Sequence, residues 1–512
     1  MKVVLISTDE SPVAMGVKAL SSNLIKHGFK TAIVIMSSWR KDFGNFCWEN
    51  LEEVCKDVKL IGISCMTHGV LKAIEVKNRL QRKTKAHFII GGIHATLSAE
   101  SLLDNFELIC LGEGEDVVVE LAKRLSSNEP FYDIPGLWAK FDGKIFKNQC
   151  QPLSKDLNDY PFPDYDLSHQ FILESDRLVP MEGSHIICDY FEVMGARGCP
   201  HNCAFCSNYK IKQDFPWRKI VRQYSIDYFI NHLKEICRVY PQVRSFWLED
   251  DTFFAKEYNH IQEFAQRYKK EINKPFCILI SPWTYDEEKV KLLIEAGMDR
   301  IIFGIQSGSE NTNYNIYSRR ISNKKILEIT HSLNKFKGML PYYDFIGMNP
   351  FETRDDLIST IQLVKKFPAP FFIFSNNLAF YPGTKIRELA VKADLDMSRR
   401  DRHTDAKHGY SILKNEKIEH KLFHLLFLMM GGKANNFKIG LIPRFLISDY
   451  AIKFYCFLDE KLSCLVNKII SLFSTALMYT DWKAFLRKHL RRKQIAMLKS
   501  IYYKVFLERV DK

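Results

Sequence analysis

The sequence predicts two α/β units in series followed by a helical tail. Short apolar runs alternate with helix-like segments over residues 1–125, the same alternation resumes over 186–395, and the strand-like runs stop after Ala390, leaving 396–512 helical in character. Strands that alternate with helices imply parallel sheets, because each connection must cross back over the sheet face. A chain of 512 residues is long enough for two or three domains with cores of their own. With 46% hydrophobic and 26% charged residues, a largely disordered chain is excluded.

In the first unit the apolar runs are Val3–Ile6, Thr31–Met36, Leu60–Ser64, His87–Ile90 and Leu108–Leu111, and Val17–His27 and Val70–Lys83 read as helices. The pattern is that of a doubly wound sheet, whose ligands sit at the carboxyl ends of the strands. The segments at those ends are Ser7–Gly16, Ser64–Gly69, Gly91–Thr96 and Gly112–Glu115, and their glycines let backbone approach a ligand closely. No GxGxxG is present, so a dinucleotide is not indicated.

Residues 126–185 read as a connector broken by Pro130, Pro135, Pro152, Pro161, Pro163 and Pro180. In the second unit the runs lie at Glu192–Gly195, Ser245–Leu248, Cys277–Ser281, Arg300–Gly304, Tyr343–Gly347 and Phe371–Leu378. Six strand–helix units are too few for a closed eightfold barrel and suit an open, partial (β/α)6 barrel. The tail carries an apolar cluster (Leu422, Phe423, Leu425–Leu428) and late basic residues (Lys488, Arg491, Arg492, Lys493, Lys499). Such helices pack on their own protein, or else cover the barrel mouth or touch an anionic membrane surface.

The formal net charge of +13 permits nucleic acid, anionic lipid or an acidic cofactor and selects none of them. No RNA-binding module is visible, so no nucleic acid is expected. The 13 cysteines do not form the paired framework of a small secreted domain, and Met1-Lys2 runs directly into Val3–Ile6 without an apolar leader. A reducing cytoplasm is therefore expected, with membrane association through the C-terminal helices as the variant. The longest apolar stretch, Ile469–Thr480 between Lys468 and Asp481, is too short to span a bilayer.

The densest chemistry lies in Gly198-Cys199-Pro200-His201-Asn202-Cys203-Ala204-Phe205-Cys206, just after a strand. Thiolates are soft ligands that suit iron–sulfur clusters or zinc. A structural zinc ion wants a fourth ligand, for which His201 is the candidate within the loop. Three thiolates on a four-iron cluster leave one iron open. Three unrelated buried thiols are the remaining alternative.

Cys199, Cys203, Phe205 and Cys206 match the CxxxCxΦxC signature, and the segment resembles the radical S-adenosylmethionine superfamily. The resemblance implies a [4Fe-4S] cluster on Cys199, Cys203 and Cys206. Its open iron chelates S-adenosylmethionine, one electron yields a 5′-deoxyadenosyl radical, and Phe205 packs near the adenine. The likeness extends over 190–390. Glu249, Asp250 and Asp251 end a strand and are expected to contact cofactor or substrate, although Asp250 and Asp251 equally suit a helix cap. Gly304–Glu310 is similar to the family's GIESGSE-type segment, with Gln306 as an acceptor for a ribose hydroxyl. Ser281 is a further expected contact, and Arg319 or Arg320 suits the S-adenosylmethionine carboxylate or is a solvated charge. Asp344–Pro350 and Tyr381–Thr384 are similar to later family segments, and Phe351 stands where PGET carries Gly.

The first unit resembles the flavodoxin/Rossmann-like cobalamin-binding (B12-binding) domain through Gly62–Thr67, Gly91–Thr96 and Gly112–Glu115, with Ile93 in place of the Pro of GGPH. It lacks DxHxxG, so the resemblance implies a corrin without a lower histidine ligand. The implied contacts are Thr67, Gly91, Gly92, His94, Glu113 and Gly114; His94 and His68 read equally well as ordinary loop residues. A scaffold that has lost its cofactor is the alternative.

Together these resemblances imply a cobalamin-dependent radical S-adenosylmethionine enzyme that methylates an unactivated carbon of a small-molecule, lipid or peptide substrate. The electron would come from an external flavodoxin- or ferredoxin-type reductant. The rivals are cyclisation, rearrangement or oxidation without methyl transfer, and a non-catalytic corrinoid or iron–sulfur sensor.

Overall fold

The computed structural model describes residues 1–9, 11–36, 44–150, 156–174, 177–186, 190–215 and 221–395; the helices expected over 396–512 lie outside the described residues. The first sheet contains β1 (Lys2–Ser7), β2 (Lys30–Ile35), β3 (Leu60–Ser64), β4 (His87–Gly91), β5 (Leu108–Cys110), β6 (Leu137–Phe141), β7 (Lys144–Lys147), β8 (Gln170–Glu174) and β9 (Arg177–Pro180). Its helices are α1 (Met15–Lys26), α2 (Asn45–Val54), α3 (Val70–Leu80), α4 (Ile93–Leu97) and α5 (Glu115–Ser127). The strand order is β7-β6-β5-β4-β3-β1-β2-β8-β9, with β1–β5 and β8 parallel and antiparallel hairpins on both flanks.

Strands covered on both faces must be apolar throughout, and Val3, Val4, Leu5 and Ile6 are all fully buried. Val3, Leu5 and Ile33 join the core on one face, whereas Val4, Ile6, Val34 and Ile61 join the core on the other. The order reverses at β1, which has β3 on one side and β2 on the other, so the strand ends there diverge and leave a crevice. The segment read as a connector supplies β6–β9. Its prolines are tolerated because Pro135 precedes β6 and Pro180 closes the edge strand β9, so neither removes a central ladder bond.

The second sheet is all-parallel and follows chain order: β10 (Phe191–Val193), β13 (Phe246–Leu248), β14 (Phe276–Ile280), β15 (Met298–Gln306), β16 (Leu340–Gly347) and β17 (Phe372–Asn377). A short antiparallel pair, β11 (Ala196–Arg197) with β12 (Arg222–Gln223), sits beside its first strand. The helices are α6 (Ser207–Asp214), α7 (Ile226–Val239), α8 (Tyr258–Glu271), α9 (Glu287–Glu295), α10 (Asn323–Leu333), α11 (Arg354–Val364) and α12 (Lys385–Lys392). Side chains alternate across each strand. Phe191, Val193, Phe246, Leu248, Ile278, Ile301 and Phe303 enter the helix-covered core. Glu192, Trp247, Cys277 and Arg300 stand in register on the opposite face. No described helix is long and apolar enough to cross a membrane.

Gly92, between β4 and α4, has φ +97°, and a Cβ there would come within 2.7 Å of the Cys65 carbonyl oxygen. Strain and close contact both oppose a side chain at this position. Gly92→Ala is expected to destabilise the protein by about 2 kcal/mol or more, read from the denaturant midpoint; a wild-type midpoint would contradict this.

Candidate cofactor sites at the strand ends

The cysteine loop leaves β11 through Gly198, at φ +101°, and Cys206 starts α6 from an extended conformation. Its centre is pinned by backbone: the Ala204 amide donates to Tyr317 O (2.9 Å), and the Ile386 amide donates to Ala204 O (3.0 Å). Lys212, on α6, donates to the carbonyls of Cys199 (3.2 Å) and His201. Cys203 is buried, while Cys199 and Cys206 are half-buried, and none is in a disulfide. Arg319 Nη1 donates to Cys203 Sγ at 3.2 Å and Nη2 to Gly304 O at 2.6 Å, with the guanidinium 4.7 Å from the Trp283 ring centre.

Among the described residues, no three His, Cys, Asp or Glu side chains converge on one ion, which is what a mononuclear zinc site requires. A cubane presents a different iron to each thiolate, so three thiols on one loop suit it. His201 Nε2 is engaged by Ser281 Oγ at 2.6 Å. Burial pushes the Cys199 thiol up to about 12 and raises Cys206 as well. Metal loading must therefore displace these protons.

The expected S-adenosylmethionine contacts gather near this loop, with differing freedom. Phe205 packs edge-on against Tyr317 (5.2 Å, 82°). Gln306 is buried at φ +72°; its Nε2 donates to Asp344 Oδ2 at 3.4 Å, and its Oε1 has no hydrogen-bond partner among the described residues. An orphan buried acceptor suits a ligand hydroxyl. Asp344 is raised to about 6 by burial and also accepts from Asn376 Nδ2 at 2.9 Å. Ser281 Oγ is taken by His201 and Thr284.

Of the three strand-end acids, Asp250 is committed internally. Its Oδ1 accepts from the amides of Gly195 (2.6 Å) and Ala196 (2.9 Å), and its Oδ2 pairs with Lys256. It holds the backbone just ahead of the cysteine loop instead of facing a ligand. Glu249 is half-buried, with its carboxyl raised to about 7 by burial and by Glu192. Asp251 is exposed, within electrostatic reach of Cys199 and Cys206. Arg319 is buried, and Arg320 is exposed.

At the crevice of the first sheet lies a cavity of about 270 Å³, walled by Leu5, Gly62, Gly91, Gly92 and Gly112–Glu115, by Met15–Val17 and Ala19–Leu20 of α1, and by Arg197, Tyr224 and His232 of the second unit. A Cβ on Gly114 would sit 3.3 Å from Cys110 Sγ and 3.4 Å from Leu20 Cδ2, so glycine keeps this wall flat. A flat apolar ring system fits such a wall. Glu113 and Glu115 are tied to Arg197 and Arg222. Thr67 and His94 do not reach the cavity wall: His94 Nδ1 bonds Thr67 Oγ1 (3.2 Å) and Nε2 bonds Ser101 Oγ (3.4 Å). Both imidazole nitrogens are thus engaged by hydroxyls. Arg197, Arg222 and Lys212 were not anticipated from sequence. An arginine directly before Gly198-Cys199 is a visible signal, but its acidic partners lie some 80 residues away.

The chain matches the radical SAM superfamily over residues 193–364 and the B12 binding domain over 1–122. An uncharacterized methyltransferase of Pyrococcus horikoshii is 27% identical over 344 residues, covering 66% of this chain and 71% of that protein. The cytidylyl-2-hydroxyethylphosphonate methyltransferase of Streptomyces wedmorensis is 24% identical over 293 residues, 51% of this chain and 52% of that protein. This chain therefore spans about half the length of the second relative. In fold it is similar to the cobalamin-dependent S-adenosylmethionine radical enzyme OxsB with aqua-cobalamin and S-adenosylmethionine bound: TM-score 0.62, 14% identity, 99% of this chain and 79% of that one.

Beneath the Gly304–Glu310 segment, Glu352 accepts from Ser307 Oγ at 2.8 Å, and burial raises its carboxyl from 4.5 to about 7. The folded chain then binds this proton more tightly than the unfolded chain, so stability falls as pH rises from about 4.5 through 7. Glu352→Gln is expected to lose that contribution, so its denaturant midpoint changes less than wild type's between about pH 5 and 7.5. Equal changes in the two proteins would contradict it.

Proposed function

We propose that this chain, a member of the radical S-adenosylmethionine superfamily with an N-terminal B12-binding domain, is a cobalamin-dependent methyltransferase acting on an unactivated carbon. One observation carries the reading. The end of the first sheet meets the root of the cysteine loop, where Arg197 pairs with Glu113 and Glu115. Two cofactor sites so joined can serve one substrate.

Cys199, Cys203 and Cys206 would hold a [4Fe-4S] cluster. Gln306 Oε1 would accept a hydrogen bond from S-adenosylmethionine, with Phe205 near its adenine. The glycine-walled cavity would take a planar part of the corrinoid. When bound, these groups supply a hydrogen-abstracting radical and a transferable methyl group. Arg319 donates to Cys203 Sγ and keeps that sulfur fixed. Asp250 holds the backbone leading into the loop, and the inward face of the second sheet, with Trp247 and Glu249, would receive the substrate. The substrate would be a small molecule, lipid or peptide, and the electron would come from a flavodoxin- or ferredoxin-type protein. Two relatives named methyltransferases support methyl transfer, and two named anaerobic magnesium-protoporphyrin IX monomethyl ester cyclases keep cyclisation as the rival.

The test is anaerobic reconstitution with iron, sulfide and cobalamin, followed by turnover with methyl-labelled S-adenosylmethionine. A product heavier by one labelled methyl unit supports the reading. 5′-Deoxyadenosine without that gain points to cyclisation or oxidation, and no cleavage under strong reductant points to a sensor. Cys203→Ala is expected to lose the cluster absorbance and to lower 5′-deoxyadenosine release by at least about 100-fold, the upper end of what changes in a metal's outer shell cost.

A further inference from the structure

We propose that Arg197 is a positioning residue that links occupancy of the glycine-walled cavity to the loading of the cysteine loop. The inference rests on the cofactor reading above. Arg197 ends β11, two positions before Cys199. Its guanidinium spans Glu113, in the loop after β5, and Glu115, the first residue of α5: Nη1 lies 2.9 Å from Glu113 Oε2 and Nη2 lies 2.6 Å from Glu115 Oε1. The other Glu113 oxygen pairs with Arg222, the residue opposite Arg197 in the β11–β12 ladder. The four side chains are between 7% and 21% exposed, so two positive and two negative charges balance largely out of water.

Glu113, Glu115 and Arg197 also wall the cavity. One guanidinium thus touches the wall of one site and stands on the backbone that leads into the other. A guest that displaces either carboxylate must carry Arg197 with it or strand a buried charge, which is strongly disfavoured. A planar fork can hold two carboxylates in fixed directions, whereas a lysine ammonium is a point charge and cannot. Linkage is reciprocal, so an effect of the cluster on corrinoid affinity equals the effect of the corrinoid on cluster binding.

The experiment titrates hydroxocobalamin into anaerobic protein with and without its reconstituted cluster, read by visible absorbance. In wild type the two affinities are expected to differ by about fivefold or more, and in Arg197→Lys to converge within about twofold. Because Arg197 walls the cavity, each affinity of the variant is read against the variant's own cluster-free protein, and only the ratio is compared with wild type. An undiminished ratio in the variant overturns the proposal. So does a variant that binds no corrinoid with or without the cluster, since Arg197 would then be only cavity wall. A wild type that binds both groups with no difference in affinity removes this proposal and leaves the functional reading intact. A wild type that binds neither removes the reading and the proposal together. If R197K does not fold, Arg222→Lys reads the same linkage through Glu113: convergence supports it, and an unchanged ratio overturns it.

Discussion

Arg197 cannot leave Glu113 and Glu115 without stranding charge in a largely dry boundary, and this fixes where the cysteine loop begins. Much of the surrounding architecture serves that junction. The switch in strand order at β1 opens the crevice, and the Gly112–Glu115 turn carries two acids to its rim. The β11–β12 ladder holds two arginines side by side to meet them. Ser11, in the loop after β1, adds a bond from its hydroxyl to Glu192 Oε2 at 2.7 Å, so the contact between the units is polar at more than one point.

The cysteine loop is short, irregular and partly buried, so its backbone groups must find partners outside regular structure. Asp250 accepts two amides ahead of the loop, Lys212 donates to two carbonyls within it, and Tyr317 and Ile386 hold Ala204. These partners come from the loop after β13, α6, the segment after β15 and α12, so the loop's shape is set by several units at once. Arg319 also donates to Cys203 Sγ, so one side chain ties a sulfur of the loop to the end of β15 through Gly304 O.

The alternation of apolar runs was enough to locate β1–β5 and the six strands of the second sheet, because a doubly covered parallel strand is apolar along its whole length. The cysteines were legible because their spacing is local. The strands β6–β9 were hidden: Leu-Trp-Ala-Lys-Phe and Arg-Leu-Val-Pro are half-solvated segments on the flanks of the sheet, in a proline-punctuated stretch where periodicity is weak. Asp250 read as a ligand contact or a helix cap and turned out to bind the amides of Gly195 and Ala196, some 55 residues away, which no local pattern encodes. The same holds for Arg197 and its glutamates. His94 looked like a loop residue at a strand end, and only its placement between Thr67 and Ser101 shows that its nitrogens are taken.

The hairpins flanking the first sheet have a consequence for self-association. A parallel sheet that ended at β5 or β8 would offer a row of open amides and carbonyls to any passing strand. Here β6–β7 and β8–β9 cover those rows, and the outermost strands are only four residues long. One carries Lys144 and Lys147 and the other closes on Pro180, features that resist templating by a second chain. The first sheet is therefore a poor template for strand addition by a neighbouring copy.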